Sequence, residues 1–154
     1  MRSRTLIPII MLSFFFGCTS SNADSSADVA AIKKVIETAY VHGIHIDRDP
    51  DAIRSGFHPA FNMLVMSDNE INPVPIESWI ERIEAGKAEH PEPSAVVTTH
   101  KFSLVDVTGS AAVARIEVFK DKIHVYTDYM SLYKFSEGWK IVNKIFYRHP
   151  KPAG

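Results

Sequence analysis

The chain has 154 residues, 45% of them hydrophobic, with 17 basic against 18 acidic side chains. That size suits one domain with a real core. The charges are interspersed, which excludes the basic stripe of a nucleic-acid-binding protein, and a lone cysteine excludes a structural disulfide.

In chain order, residues 1–17 differ from everything after them. Arg2 and Arg4 precede an uncharged run from Thr5 to Phe16. The run is shorter than the roughly 20 residues a membrane-spanning helix needs. A basic start, a short apolar centre and small residues behind it make a secretory signal. Phe15-Phe16-Gly17-Cys18 resembles a bacterial lipoprotein box, in which Cys18 becomes the acylated first residue. Residues 18–27 then read as a lipidated cysteine and polar tether. This anchor is the one expected contact with a membrane and implies the periplasmic face of the outer membrane. Cleavage after Ala23 is the alternative and would give a soluble periplasmic protein.

The domain is expected over 28–149. Ser25 and Asp28 form a capping pair ahead of a helix. Val29, Ile32, Ile36, Ala39, Tyr40, Gly43 and Ile44 recur at helical spacing and mark its buried face. Asp49-Pro50 opens a short second helix that Gly56 closes. Phe61 to Ser67 reads as a strand stopped by Asp68-Asn69. Ile76, Trp79, Ile80 and Ile83 mark a third helix, ending near Gly86. From Ala95 the period becomes two, with turns at Thr108-Gly109, Asp121-Lys122 and Ser136 to Gly138, which gives four strands joined by hairpins.

Turn lengths set registers, and registers set faces. A two-residue turn at 121–122 pairs Lys120 with Ile123 and places Arg115 opposite Asp128. A three-residue turn at 136–138 pairs Phe135 with Trp139 and Ser131 with Asn143. The face expected under the helices carries Phe102, Leu104, Ala114, Ile116, Tyr129, Tyr133, Trp139, Ile141 and Ile145, with His100, Thr127, Ser131 and Asn143 as polar exceptions. The outer face then carries Arg115, Asp128 and Lys144, along with an apolar patch of Met130, Leu132, Val142 and Phe146 suited to a homodimer. A bulge near the 121–122 turn would reverse the position of Asp128. A curved antiparallel sheet covered by helices on its concave face is an α+β cone.

Three stretches carry a resemblance: Ala39-Tyr40 to Phe57-His58-Pro59, Thr127-Asp128-Tyr129, and Gly138-Trp139-Lys140-Ile141-Val142-Asn143-Lys144. With the element order, they resemble the nuclear transport factor two-like, cystatin-like cone shared by polyketide cyclases (the SnoaL-like superfamily). More closely they resemble the bacterial family labelled putative lumazine-binding. The resemblance implies a dimer and a pterin- or flavin-like ligand. This fold hosts both enzymes and binding modules, so function must be argued from the site.

The expected pocket combines Tyr40, Phe102, Tyr129, Ser131, Tyr133, Trp139 and Asn143. It suits a small apolar or ring-shaped molecule held by a few neutral hydrogen bonds. The candidate acid–base groups are His58 and His100, paired with Tyr40 in a cyclase, isomerase or dehydratase reading. The paired carboxylates of ketosteroid isomerase are missing, because the corresponding positions are Val65 and Ser131. Asp128 reads as half of a surface ion pair, in which case Asp128→Asn costs about 0.2–1 kcal/mol. His42 and His45 are spaced like metal ligands but lack a third, so no metal is expected. No phosphate loop or nucleophile elbow points to a cofactor. The leading expectation is a ligand-binding domain without demonstrable catalysis. A protein-interaction module using the outer sheet face is the remaining alternative.

Overall fold

The computed structural model describes residues 21–151; the signal segment and Cys18 lie outside them. Helix α1 runs Ser21–Val35 and continues without a break as a π-wound segment, Ile36–Ile46. It starts within the stretch whose composition suggests a tether, upstream of the Ser25–Asp28 pair. Next come α2 (Pro50–Gly56), β1 (Phe57–Ser67), β2 (Glu70–Pro75), α3 (Ile76–Glu89), β3 (Thr98–Thr108), β4 (Ala111–Lys120), β5 (Ile123–Phe135) and β6 (Gly138–Arg148). The curved sheet has the order β2-β1-β6-β5-β4-β3 and is antiparallel except where β1 meets β6. The expected α+β cone is therefore present.

Local chemistry explains most boundaries. Asp49 Oδ1 accepts from the backbone N–H groups of Asp51 and Ala52, with Pro50 in the first turn, so α2 starts where the cap dictates. Gly56 serves packing rather than capping: a Cβ there would lie 2.4 Å from Ala39 Cβ. Strand β2 has no counterpart in the sequence reading, because Pro73 and Pro75 argue against a strand. It survives as the sheet edge, where a missing N–H costs little. The Asp68–Asn69 turn that joins it to β1 has φ of 52° and 64°, the left-handed pair of a tight hairpin.

Helix α1 is tied to the sheet by Asp28, which accepts from Lys134 Nζ at 2.7 Å and Trp139 Nε1 at 2.9 Å. Ile32, Ile36, Tyr40, Ile53, Phe61 and Ile80 pack from the helices and β1 against Ile116, Met130, Leu132 and Ile141.

Three bulges correct the expected faces. Lys120 does pair with Ile123, but β5 carries one extra residue, Val125, between His124 and Tyr126. Arg115 therefore lies opposite Tyr129, and Ile116 opposite Asp128. Ser103 bulges out of β3 and sends Leu104 to the outer face. Between β5 and β6 the turn has two residues, pairing Phe135 with Gly138, and a bulge at Val142 restores Ser131 opposite Asn143. Because strand side chains alternate, each slip exchanges the faces beyond it. Met130 and Leu132 are consequently core residues, Phe146 faces inward and Val142 is a bulge; the apolar outer patch expected of these four does not exist. Tyr129, Tyr133 and Ile145 are instead 45%, 52% and 49% exposed on that outer face.

Candidate functional site

The inward turn of β5 and β6 buries a charged pair. Asp128 is fully buried, and Lys144 is 4% exposed. Asp128 Oδ2 accepts from the Tyr40 hydroxyl at 2.5 Å, and Oδ1 lies 2.8 Å from Lys144 Nζ. The ammonium also sits over four rings: Phe146 at 4.6 Å, Tyr40 at 5.0 Å, Trp79 at 5.4 Å and Tyr126 at 6.0 Å. An ammonium facing several ring faces is held by their quadrupoles as well as by its counterion. Burial pushes Lys144 below the ordinary lysine range, against the opposing pull of Asp128. Burial, reinforced by the Asp128 charge, pushes the Tyr40 hydroxyl well above the ordinary tyrosine range, so it stays a donor. Such a pair costs more in desolvation than an apolar pair would, which makes it conspicuous in so small a core.

Beside this pair is a cavity of about 280 Å³ walled by Tyr40, Trp79, Tyr126 and Lys144, with His45 and Arg148 also lining it. The π winding explains His45. Its bonds join residues five apart, as in Asp47 N–H to His42 O at 2.8 Å, so residue 45 comes under residue 40. The two rings meet edge to face at 4.8 Å. His45 Nε2 is buried without a partner among the described residues, and the imidazole is pushed down to about 3, first by burial and then by Lys120 and Lys144. It is therefore neutral near pH 7. Arg148 is exposed, lies over Tyr126 at 5.4 Å and makes no ion pair among the described residues. The cavity thus offers ring faces, a neutral imidazole and one free guanidinium at its edge.

Of the residues expected in the pocket, only Tyr40 lines this cavity. Its hydroxyl is donated to Asp128 and is not free for a ligand. Tyr129, Ser131, Tyr133 and Asn143 lie on the outer face for the register reasons above. Asn143 Nδ2 donates there to Asn62 O at 3.0 Å, linking β6 to β1. Trp139 points inward as expected but is a core anchor, its Nε1 committed to Asp28. Phe102 faces inward and packs between His100 and Lys33. His100 lies 3.3 Å from Glu37 Oε1, and His58 accepts from Ala60 N–H and stacks on Phe135. Neither histidine lines the cavity with Tyr40. His42 pairs with Asp47 while His45 turns inward, and among the described residues no three histidine, cysteine or carboxylate groups converge.

Asp128, Lys144, His45, Trp79, Tyr126 and Arg148 escaped the sequence reading as pocket residues. The register alone showed that Asp128 and Lys144 share a face with Met130 and Leu132, but not that this face is the buried one.

Residues 27–147 match the model of a family described as putative lumazine-binding. A search of curated proteins returns no match. Among solved structures, an NTF2-like protein of unknown function from Shewanella baltica superposes with a TM-score of 0.65 at 22% identity, over 86% of this chain and 100% of that one. A second, from Silicibacter pomeroyi, gives 0.63 at 19% identity, over 80% and 98%. A cystatin-like domain of unknown function from Nostoc punctiforme gives 0.58 at 13% identity, over 83% and 81%. At these identities the likeness carries the fold alone.

Proposed function

The chain belongs to the putative lumazine-binding family, and on that premise we propose that it is a small-molecule-binding protein. Its ligand, a compact flat heteroaromatic compound, occupies the cavity around Lys144. The observation that carries this reading is the cavity wall: three aromatic rings and a buried ammonium beside an unpartnered imidazole nitrogen. The volume of about 280 Å³ is just under the roughly 300–1,000 Å³ of typical ligand sites. That size favours a one- or two-ring compound over an extended one. Lys144 is already matched by Asp128, so Arg148 supplies the uncommitted positive charge and would meet an acceptor-rich edge of the ring. This replaces the wholly neutral lining expected from the sequence.

The same proposal includes export and anchoring. Arg2, Arg4, the Thr5–Phe16 run and Gly17-Cys18 support secretion and acylation at the periplasmic face of the outer membrane. Among the described residues, no helix is long and apolar enough to cross a membrane. The proposal also includes a homodimer through the outer sheet face, supported by the exposed Tyr129, Tyr133 and Ile145.

Lumazine titrated into the purified domain tests the ligand reading, with thermal shift and tryptophan fluorescence as readouts. Saturable stabilisation is expected, with quenching that Trp79→Leu abolishes. Arg148→Gln, at an exposed position, should weaken binding roughly tenfold if its guanidinium meets the ligand as a charged hydrogen-bond donor. Unchanged binding in both variants, or no stabilisation by lumazine, overturns the reading.

A further inference from the structure

The bulge that buries Asp128 has a second effect. In an unbroken β5, His124 would share the inward face of Tyr126 and Asp128. The extra residue Val125 places His124 opposite Phe119 instead, on the outer side with Thr127. His149, just past β6, is set on the same side by its N–H to Val125 O at 3.0 Å. The two imidazoles stack with centroids 3.8 Å apart and planes 32° from parallel. Both Nε2 atoms reach one hydroxyl, Thr127 Oγ1, at 3.2 Å from His124 and 3.0 Å from His149. His124 Nε2 also lies 3.0 Å from Tyr126 O.

A carbonyl only accepts, so His124 Nε2 carries its proton toward Tyr126 O and Thr127 Oγ1. The Thr127 hydroxyl proton is then free for His149 Nε2, which accepts it across 3.0 Å. We propose that His124 and His149, with the Thr127 hydroxyl between them, form a site for a divalent transition-metal ion of the Zn²⁺ or Cu²⁺ class. Imidazole nitrogen is a preferred donor for both ions. Binding requires two rearrangements. The proton on His124 Nε2 moves to Nδ1, which makes no hydrogen bond among the described residues, and the stacked rings open from their 3.8 Å centroid separation so that both Nε2 atoms can reach the roughly 2.0–2.1 Å of a metal–imidazole bond. The hydroxyl and water complete the coordination. With two histidines the site is open and exchangeable rather than a closed structural centre. Its residues are separate from the cavity around Lys144, so it stands or falls independently of the ligand reading.

Untagged protein titrated with Zn²⁺ in a calorimeter should take up one ion per chain. His124→Gln and His149→Gln should each weaken uptake about tenfold or more, since even indirect changes around a metal cost 10–100-fold. His42→Gln, at an exposed histidine on the first helix, should not. Substoichiometric Cu²⁺ added to unaltered protein should broaden the ring resonances of His124 and His149 before those of other histidines, which needs no variant to fold. Absence of saturable Zn²⁺ uptake overturns the proposal, as does uptake that survives both substitutions or broadening that begins elsewhere.

Discussion

Each face of the sheet departs from the usual distribution of side chains at a few positions. The helix-covered face buries a carboxylate and an ammonium, while the solvent-facing side exposes Tyr129, Tyr133 and Ile145 at about half their surface. Each departure carries a cost: desolvation on one side, apolar surface left in water on the other. Neither serves the stability of an isolated monomer. On the inner face the cost accompanies a polarised, ring-walled cavity, and on the outer face it leaves apolar side chains in contact with solvent.

The sharpest way to break the comparison is to remove one buried charge. Asp128→Asn leaves Lys144 unmatched in the core and should cost about 3–5 kcal/mol, roughly 10–20 °C in Tm for a domain of this size. That far exceeds the surface-pair value expected from the sequence. Lys144→Met should be comparably damaging, whereas Asp128→Asn with Lys144→Met should recover most of the loss, because no charge is then stranded. Additive losses in the double variant, measured by denaturant unfolding, would mean the two side chains are not coupled.

A pH-dependent effect isolates His45. In the unfolded chain its imidazole takes up a proton below its ordinary 6.5, but in the folded protein burial holds it to about 3. Between those values the unfolded state binds the extra proton. Stability is therefore full above about pH 6.5 and falls as the pH drops toward 3, at up to about 1.4 kcal/mol per pH unit. His45→Gln should flatten the difference curve in that window. An unchanged pH profile would mean that His45 is hydrated in the folded protein.

Much of the fold was legible because its signals are local. Helical spacing from Ile32 to Ile44, the Asp49-Pro50 cap and the Asp121-Lys122 turn each depend on a few neighbouring residues. The site was not legible, because it depends on parity carried along strands. In β5 one face reads Asp128, Met130, Leu132 and the other Tyr129, Ser131, Tyr133; both mix polar with apolar residues, so composition could not choose between them. A single bulge at Val125 decided it. Likewise, His45 fell outside the 3.6-residue stripe because the first helix changes to π winding before reaching it.

The mildest intervention tests the outer face. Tyr129 and Ile145 lie directly opposite one another on β5 and β6. Tyr129→Glu with Ile145→Lys replaces their apolar surface by an opposite-charge pair, itself worth about 0.2–1 kcal/mol across neighbouring strands. Pairing of the strands is thereby preserved while the apolar surface is lost. If the outer face joins two copies, light scattering at micromolar concentration should show a dimer for the native chain and a monomer for the double variant. Monomer stability, extrapolated to low concentration, should change by no more than about 0.5 kcal/mol, as for other surface substitutions. A native chain that is already monomeric would remove the dimer. A variant that stays dimeric would move the contact to another surface and leave the exposed tyrosines in need of a different occupant.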